Sequence, residues 1–354
     1  MIFTALQKAI DTNCSDVHIS TEGIVFRRKS ELEQAESIHI NNDDIFSFID
    51  TVLHEKSAEC KKRLDGLYAV DFSFSFSGRR FRANISRYSK GYNIACRILA
   101  ENIETIESLN LPASIHKISE LKNGLILVTG TTGSGKSTTL ASIIEEINLT
   151  RSENILTIED PIEYMYENKK SRIIQKEVGN DVDSFSDAVI SAMRQDPDII
   201  LIGELRDLTT IRAAITLAET GHLVLSTIHS KSVFETVERA VGVFPPAEQE
   251  QIRIRFSDVV KAIIQQKLIK SSRGRVIPIN EIAMVDETFA NMLKKHTNIN
   301  NIRDLLRSKR DKGNIHIVDN IQWHIANGHF AKEDIVGFVE DDDMQLLNTL
   351  LERR

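Results

Sequence analysis

Little in this sequence would make a cross-linked, membrane-spanning or strongly basic protein. Its three cysteines, Cys14, Cys60 and Cys96, are an odd number among 354 residues and show no CxxC spacing. They support neither a disulfide framework nor a cysteine zinc site, and read as reduced packing residues. No window approaches the roughly 18 uninterrupted apolar residues of a spanning helix. The start MIFTALQKAIDTN lacks the basic segment and apolar run of a secretory signal, so the expected location is the cytosol. A formal net charge of -7 argues against a broad nucleic-acid footprint, and no nucleic-acid partner is expected. Internal repeats and low-complexity tracts are missing too. What remains is 41% hydrophobic content over a length that fits two ordinary domains.

One stretch carries explicit chemistry. Gly124 to Asn148, GLILVTGTTGSGKSTTLASIIEEIN, reads as a buried strand, a glycine-rich turn and a helix. Gly130, Gly135, Lys136 and Ser137 fill the pattern GxxxxGK[ST] of a phosphate-binding loop. Glycines let the backbone wrap so that successive N–H groups and the next helix N-terminus face a polyphosphate. The expected nucleotide-binding set is Gly130, Thr131, Thr132, Gly133, Ser134, Gly135, Lys136, Ser137 and Thr138, with the Lys136 ammonium on the outer phosphates and the Ser137 hydroxyl on Mg²⁺.

Before this loop, Ile2, Phe3, Leu6, Ala9 and Ile10 share one side of a first helix, closed by Asn13, and SDVHIS alternates into a strand that holds His18. Ile45 to Leu53 resembles a second helix. DFSFSFSGRRFRANIS then gives a hairpin around Ser77-Gly78, with Phe72, Phe74 and Phe76 on one face and Phe81, Ala83 and Ile85 on one face of the return strand. The alternation sets Arg80, Arg82 and Asn84 on the opposite face, where Arg97 of the next run joins them. Taken alone, such a face needs no role beyond meeting solvent. ENIETIESLNLPASIHK contains Pro112 and no clear strand, so a hinge is expected near 103–112.

After the loop, strand and helix alternate. ILTIEDPIEY is a strand ending in acid, SDAVISAMRQ a helix capped at Ser186, DIILIGELRD a buried strand, TTIRAAITLAET a helix capped by Asp207 or Thr209, and HLVLSTIHS one more strand. That order predicts a mostly parallel sheet covered on both faces, with ligands at the carboxyl ends of its strands. From Pro246 a helical apolar stripe runs through Ile252, Phe256, Val259, Val260, Ile263 and Ile264. A short strand RVIPINEIAMV follows, then helices, with the acidic run Glu340 to Asp343 as a solvated helix start.

A nucleoside triphosphatase must place Mg²⁺, orient a water and neutralise charge on the γ-phosphate. Acids at strand ends suit the first two tasks: Glu204 after Ile199 to Gly203, and Asp160 and Glu163 after the neighbouring strand. Asp160 could equally be a cap beside Pro161. His222 and His229 bracket a strand of the same sheet, where imidazole could sense the γ-phosphate.

Together the boxes GTTGSGKST, ILTIEDPIEY, DPDIILIGELRD and TGHLVLSTIHS, in this order, resemble the type II/IV secretion and pilus ATPases, and within them the PilT-like retraction ATPases of type IV pili. The resemblance covers about Ser15 to Met284. It implies a PAS-like α+β N-terminal domain (1–105), a linker (106–112), a RecA-like P-loop α/β core (113–285) and a helical C-terminal region (286–354). It implies a homohexameric motor that hydrolyses ATP with Mg²⁺ to retract a pilus, held on an inner-membrane platform protein, with a paralogous ATPase as a further partner. Glu204 then matches the carboxylate of an atypical Walker B strand, able to hold metal through water, Glu163 the acidic-box glutamate, and His222 and His229 the histidine box. Arg82 and Arg97 match arginines that reach the nucleotide across a subunit interface, with Arg80 a weaker candidate. Arg194, Arg206 and Arg212 are candidates for coupling. Three departures stand out. Thr131 replaces a usual proline, the C-terminal motif AIRNLIRE is degenerate as TFANMLKKH, and the four-cysteine zinc motif of extension and type II secretion ATPases is missing. The alternatives are an ATPase of a Dot/Icm-like type IVB secretion or conjugation system, and a non-hydrolytic nucleotide-dependent assembly factor.

Overall fold

The computed structural model describes residues 1–28, 31–34, 40–67, 69–100, 102–272, 274–295, 299–339 and 341–352. Glu101, His296 and Glu340, used above, lie outside them. The chain divides into two compact units, Met1–Asn102 with Glu163–Met165, and Ile103–Ile162 with Tyr166–Arg354.

The first unit runs α1 Ile2–Asp11, β1 Asp16–Ser20, β2 Gly23–Arg28, β3 Glu31–Gln34, α2 Asn42–Leu53, α3 Ser57–Leu67, β4 Ala69–Phe76, β5 Arg79–Tyr88 and β6 Gly91–Ile98. Among the described residues its strands form one antiparallel sheet in the order β3-β2-β1-β6-β5-β4. The apolar face meets the helices: Leu6 and Ala9 of α1 and Ile45, Phe48 and Ile49 of α2 pack with Phe74, Phe81, Ile85 and Ile94. Phe74 and Phe81 stack at 4.8 Å between ring centroids. The hairpin turns at Ser77 and Gly78, both at positive φ as a tight two-residue loop requires. β2 and β3 have weak sequence signals: β2 buries alternate residues, Ile24 and Phe26, over only six positions that end in two arginines, and β3 is exposed throughout.

The second unit runs α4 Ser114–Ser119, β7 Gly124–Thr129, α5 Lys136–Thr150, β8 Asn154–Glu159, β9 Arg172–Glu177, α6 Phe185–Ala192, β10 Ile199–Ile202, α7 Leu208–Glu219, β11 Leu223–Ile228, α8 Val233–Gly242, α9 Pro246–Val259, β12 Val260–Lys270, β13 Val276–Met284, α10 Glu287–Lys294, α11 Ile299–Ser308, α12 Ile317–Ala326 and α13 Asp341–Glu352. Its sheet has the order β13-β12-β7-β11-β10-β8-β9, parallel except for β13. Leu125 and Leu127 of β7 face Ile211, Ile215, Val237 and Phe256. Ile126 and Val128 face α4 and α5 through Ile115, Ile118, Ile143 and Ile147. Both faces are covered, as continuous apolar strands demand. The segment read as a linker carries Ile106 and Leu111 into that second cluster.

Three expectations need correction. The stripe from Ile252 to Ile264 is not one helix: α9 ends at Val259, and Ile263 and Ile264 belong to β12, which pairs with β7. A short apolar run buried on both sides has no period to separate helix from strand. Helix α6 is capped by Ser184, whose Oγ accepts from the Asp187 amide at 3.2 Å, instead of by Ser186. Asp343 is not solvated. It is 4% exposed, with Arg307 at 3.6 Å and Arg303 at 3.8 Å.

Candidate functional site

The phosphate loop lies where the topology places ligands, at the carboxyl end of β7. Gly130, Gly133 and Gly135 have positive φ, so the chain turns in a way side-chain-bearing residues resist. Thr131, Thr132, Gly133 and Ser137 are exposed, Ser134 and Lys136 are buried, and Gly135 and Thr138 lie between. Lys136 Nζ donates to the carbonyls of Gly130 at 3.1 Å and Thr131 at 3.0 Å. The lysine therefore folds back over its own loop.

Glu204 stands at the carboxyl end of β10, fixed by neighbouring strands. The Gly203 amide donates to Ile158 O at 2.8 Å, the Leu205 amide to Thr227 O at 3.0 Å, and Thr227 Oγ1 to Gly203 O at 2.8 Å. One Glu204 oxygen meets Arg206 Nε at 2.7 Å and the other His229 Nε2 at 3.2 Å. Burial, foremost, and then the Lys136 charge push the His229 pKa below its ordinary value, against the pull of Glu204. The contact thus sets an uncharged imidazole beside the carboxylate and is not an ion pair. Arg239 donates to the His229 carbonyl. Thr132, Glu204, Arg206, His229, Arg239 and Val243 line a cleft of about 390 Å³.

His222 is not brought to this cluster. β11 runs parallel to β7, so a residue before β11 sits at the amino edge of the sheet. Six strand residues, about 20 Å, separate it from His229. Its Nδ1 lies 3.0 Å from both Thr220 Oγ1 and Leu217 O, at the end of α7. Asp160 is exposed at the end of β8, and Glu163 is half-buried on the turn beyond it. That turn is held by Glu177 of β9, which is 2% exposed and accepts from the Ile162 amide at 3.1 Å. Arg194 is exposed after α6, and Arg212 pairs with Glu248 at 2.6 Å over the Phe244 ring.

In the first unit, Arg82 of β5 and Arg97 of β6 are direct register partners and both exposed. Asp16 of β1 is the next partner and takes Arg97 Nε at 2.9 Å. Arg27 of β2 extends the row. Arg80 donates to the buried hydroxyl of Ser73, the register partner of Arg82 on β4, at 2.6 Å.

A profile described as Type II/IV secretion system protein matches residues 1–325. The chain belongs to that family. Among its members, a protein of Pseudomonas aeruginosa called type IV pilus retractation ATPase PilT is 38% identical over 298 residues, 83% of this chain and 84% of that one. A crystal structure of the pilus retraction motor PilT with bound ADP superposes with a TM-score of 0.80 at 35% identity, covering 91% and 96% of the two chains. The Legionella pneumophila ATPase DotB gives a TM-score of 0.82 at 27% identity, over 94% and 93%. The type II/IV secretion fold, a PAS-like α+β domain followed by a RecA-like P-loop domain with a helical C-terminal region, is therefore the fold of this chain.

Sequence reasoning missed four groups. Gln266 and Asn280 stand inside apolar strands beneath the loop, Arg239 lies ten residues past His229 with no pattern around it, and Arg27 joins the arginine row only through strand register. The doublet Gln265-Gln266, directly after Ala262-Ile263-Ile264, was the available signal.

Proposed function

We propose that this chain is a motor ATPase that hydrolyses ATP to drive retraction of a type IV pilus, as its relatives are named to do. The observation that carries the catalytic reading is Glu204, held beside the phosphate loop by neutral His229 and Arg206. Nucleotide phosphates would lie in the backbone nest of residues 130–138, with Lys136 turning from its own carbonyls to the outer phosphates. Glu204 would orient the attacking water, its carboxylate aimed by the Arg206 hydrogen bond with the His229 ring beside it. Glu163 supplies a second acid. His222 would act at the far end of the sheet, on the α7–β11 turn, rather than on phosphate.

For Mg²⁺, the donors present fit. The exposed Ser137 hydroxyl in the first turn of α5 and the carboxylates of Glu204, through water, and Asp160 are hard oxygens. When bound, the ion would neutralise charge on the β- and γ-phosphates.

Arg82 and Arg97 complete the charge balance from a neighbouring subunit of a homohexamer. With Nε of Arg97 taken by Asp16, its two Nη groups form the end available to a phosphate. No helix among the described residues is long and apolar enough to cross a membrane. We place the motor in the cytoplasm, docked to the inner membrane through a platform protein, with a paralogous ATPase beside it and no nucleic acid.

The second reading, an ATPase of a Dot/Icm-like secretion or conjugation system, is favoured by the equally close fit to DotB. A Lys136→Ala allele in the host cell separates them. Excess surface fibres mean retraction, bald cells mean extension, and normal fibres with blocked export mean a secretion motor. The non-hydrolytic assembly factor is excluded if the purified protein turns over ATP and Glu204→Gln does not.

A further inference from the structure

The phosphate loop has a support that its own sequence does not contain. Gln266 of β12 is 1% exposed, directly beneath the loop. Its Nε2 donates to the Ser134 carbonyl at 2.7 Å, and its Oε1 accepts from the Thr139 hydroxyl at 2.8 Å. A Cβ on Gly130 would collide with the Gln266 backbone carbonyl, and one on Gly135 would lie 2.9 Å from the Gln266 amide nitrogen. The side chain thus fixes the crest of the loop and the first turn of α5 and packs against Gly135, while the backbone of the same residue packs against Gly130. A leucine there would fill the space and hold nothing.

The same Oε1 accepts from Asn280 Nδ2 of β13 at 2.9 Å. The Asn280 amide donates to Asn320 Oδ1 of α12 at 2.8 Å. Asn280 is 0% and Asn320 5% exposed, so no water competes for these bonds. α12 is part of the C-terminal helical cluster, where Ile317, Val318 and Ile321 pack with Ile335 and Leu347. A continuous line of amides therefore joins the nucleotide-binding backbone to helices far from any phosphate.

We propose that Gln266 is a positioning residue for the phosphate loop, and that Asn280 and Asn320 tie its geometry to the C-terminal helices, so that displacement of α12 changes nucleotide affinity. This rests on the nucleotide-binding reading of the loop. It does not depend on hydrolysis or on which machine the motor serves. Loss of one buried amide contact should weaken binding about fivefold, and loss of the glutamine, which makes several, about tenfold to a hundredfold.

The test is equilibrium titration of the full-length protein with fluorescently labelled ADP. Gln266→Leu should raise Kd about tenfold or more, and Asn320→Ala about fivefold. Asn320→Asp, which keeps the acceptor for the Asn280 amide, should restore affinity toward wild type, which a general loosening of α12 would not do. If Gln266→Leu does not fold, Thr139→Val reads the same contact while keeping volume. Wild-type Kd in folded Gln266→Leu or Thr139→Val overturns the positioning role, and wild-type Kd in Asn320→Ala overturns the link to α12. Failure of the wild-type chain to bind ADP at all would instead overturn the functional reading beneath it.

Discussion

The two sheets of this chain keep their chemistry in different places. In the parallel sheet, β7, β10 and β11 are buried along their whole length. Helices cover both faces, so reactive groups can emerge only where strands end, and Lys136 and Glu204 do so. The antiparallel sheet has helices against one face, and its arginines sit on the strands themselves, aligned by register instead of by loops. A sheet wrapped on both sides offers edges, whereas a sheet wrapped on one side offers an area.

Several measurements would break or sharpen this contrast. The strand-end acid should matter most: Glu204→Gln is expected to lower steady-state ATP turnover by about 10²-fold or more while ADP affinity holds. Equal turnover would remove the strand-end carboxylate from the chemistry. Next, Arg82→Ala subunits and Lys136→Ala subunits should each be inactive alone. Mixed equally into hexamers they should recover about a quarter of the sites if the arginine acts in trans. No recovery at any ratio, with hexamers verified by mass, would confine the arginine row to solvent.

A third measurement concerns the exception inside the parallel sheet. Glu281 of β13 is 8% exposed, and its pKa is pushed up to about 7, by burial first, with Asp343 adding to the rise and Arg303 and Lys267 opposing it. The folded state holds this proton while the unfolded chain releases it near the ordinary carboxylate value. Stability from Glu281 is thus present at acid pH and lost as pH rises through about 7. Glu281→Gln should add roughly 3 kcal/mol at pH 8 and little at pH 4, read by denaturant melts at the two values. Identical pH slopes in the two proteins would show that the strand tolerates the charge. The smallest effect belongs to the antiparallel face. Asp16→Ala frees an exposed arginine and should reduce turnover only a few-fold, with ADP affinity constant.

What could be read in advance divides along the same line. The phosphate loop was legible because nine consecutive residues hold all its chemistry, and Glu204 because an apolar run ends in it. The hairpin was legible from alternation. Gln266 was not, since it meets Thr139 across 127 residues and its strand continues an apolar spacing that also fits a helix. Arg27 and Asp16 join Arg97 through pairings that no local pattern announces. Asp343 looked solvated because its partners, Arg303 and Arg307, are forty and thirty-six positions back along the chain. The distance of His222 from phosphate followed from strand direction alone. A parallel sheet sends the residues before and after a strand to opposite edges.

Both oxygens of Glu204 are engaged within the chain, one by Arg206 and one by His229. An ionised carboxylate has about four acceptor sites, so one contact on each oxygen sets the direction of the group and leaves room for a water. In the proposed role, Glu204 would therefore be aimed before nucleotide arrives, and its neighbours would act as a jig instead of as reagents.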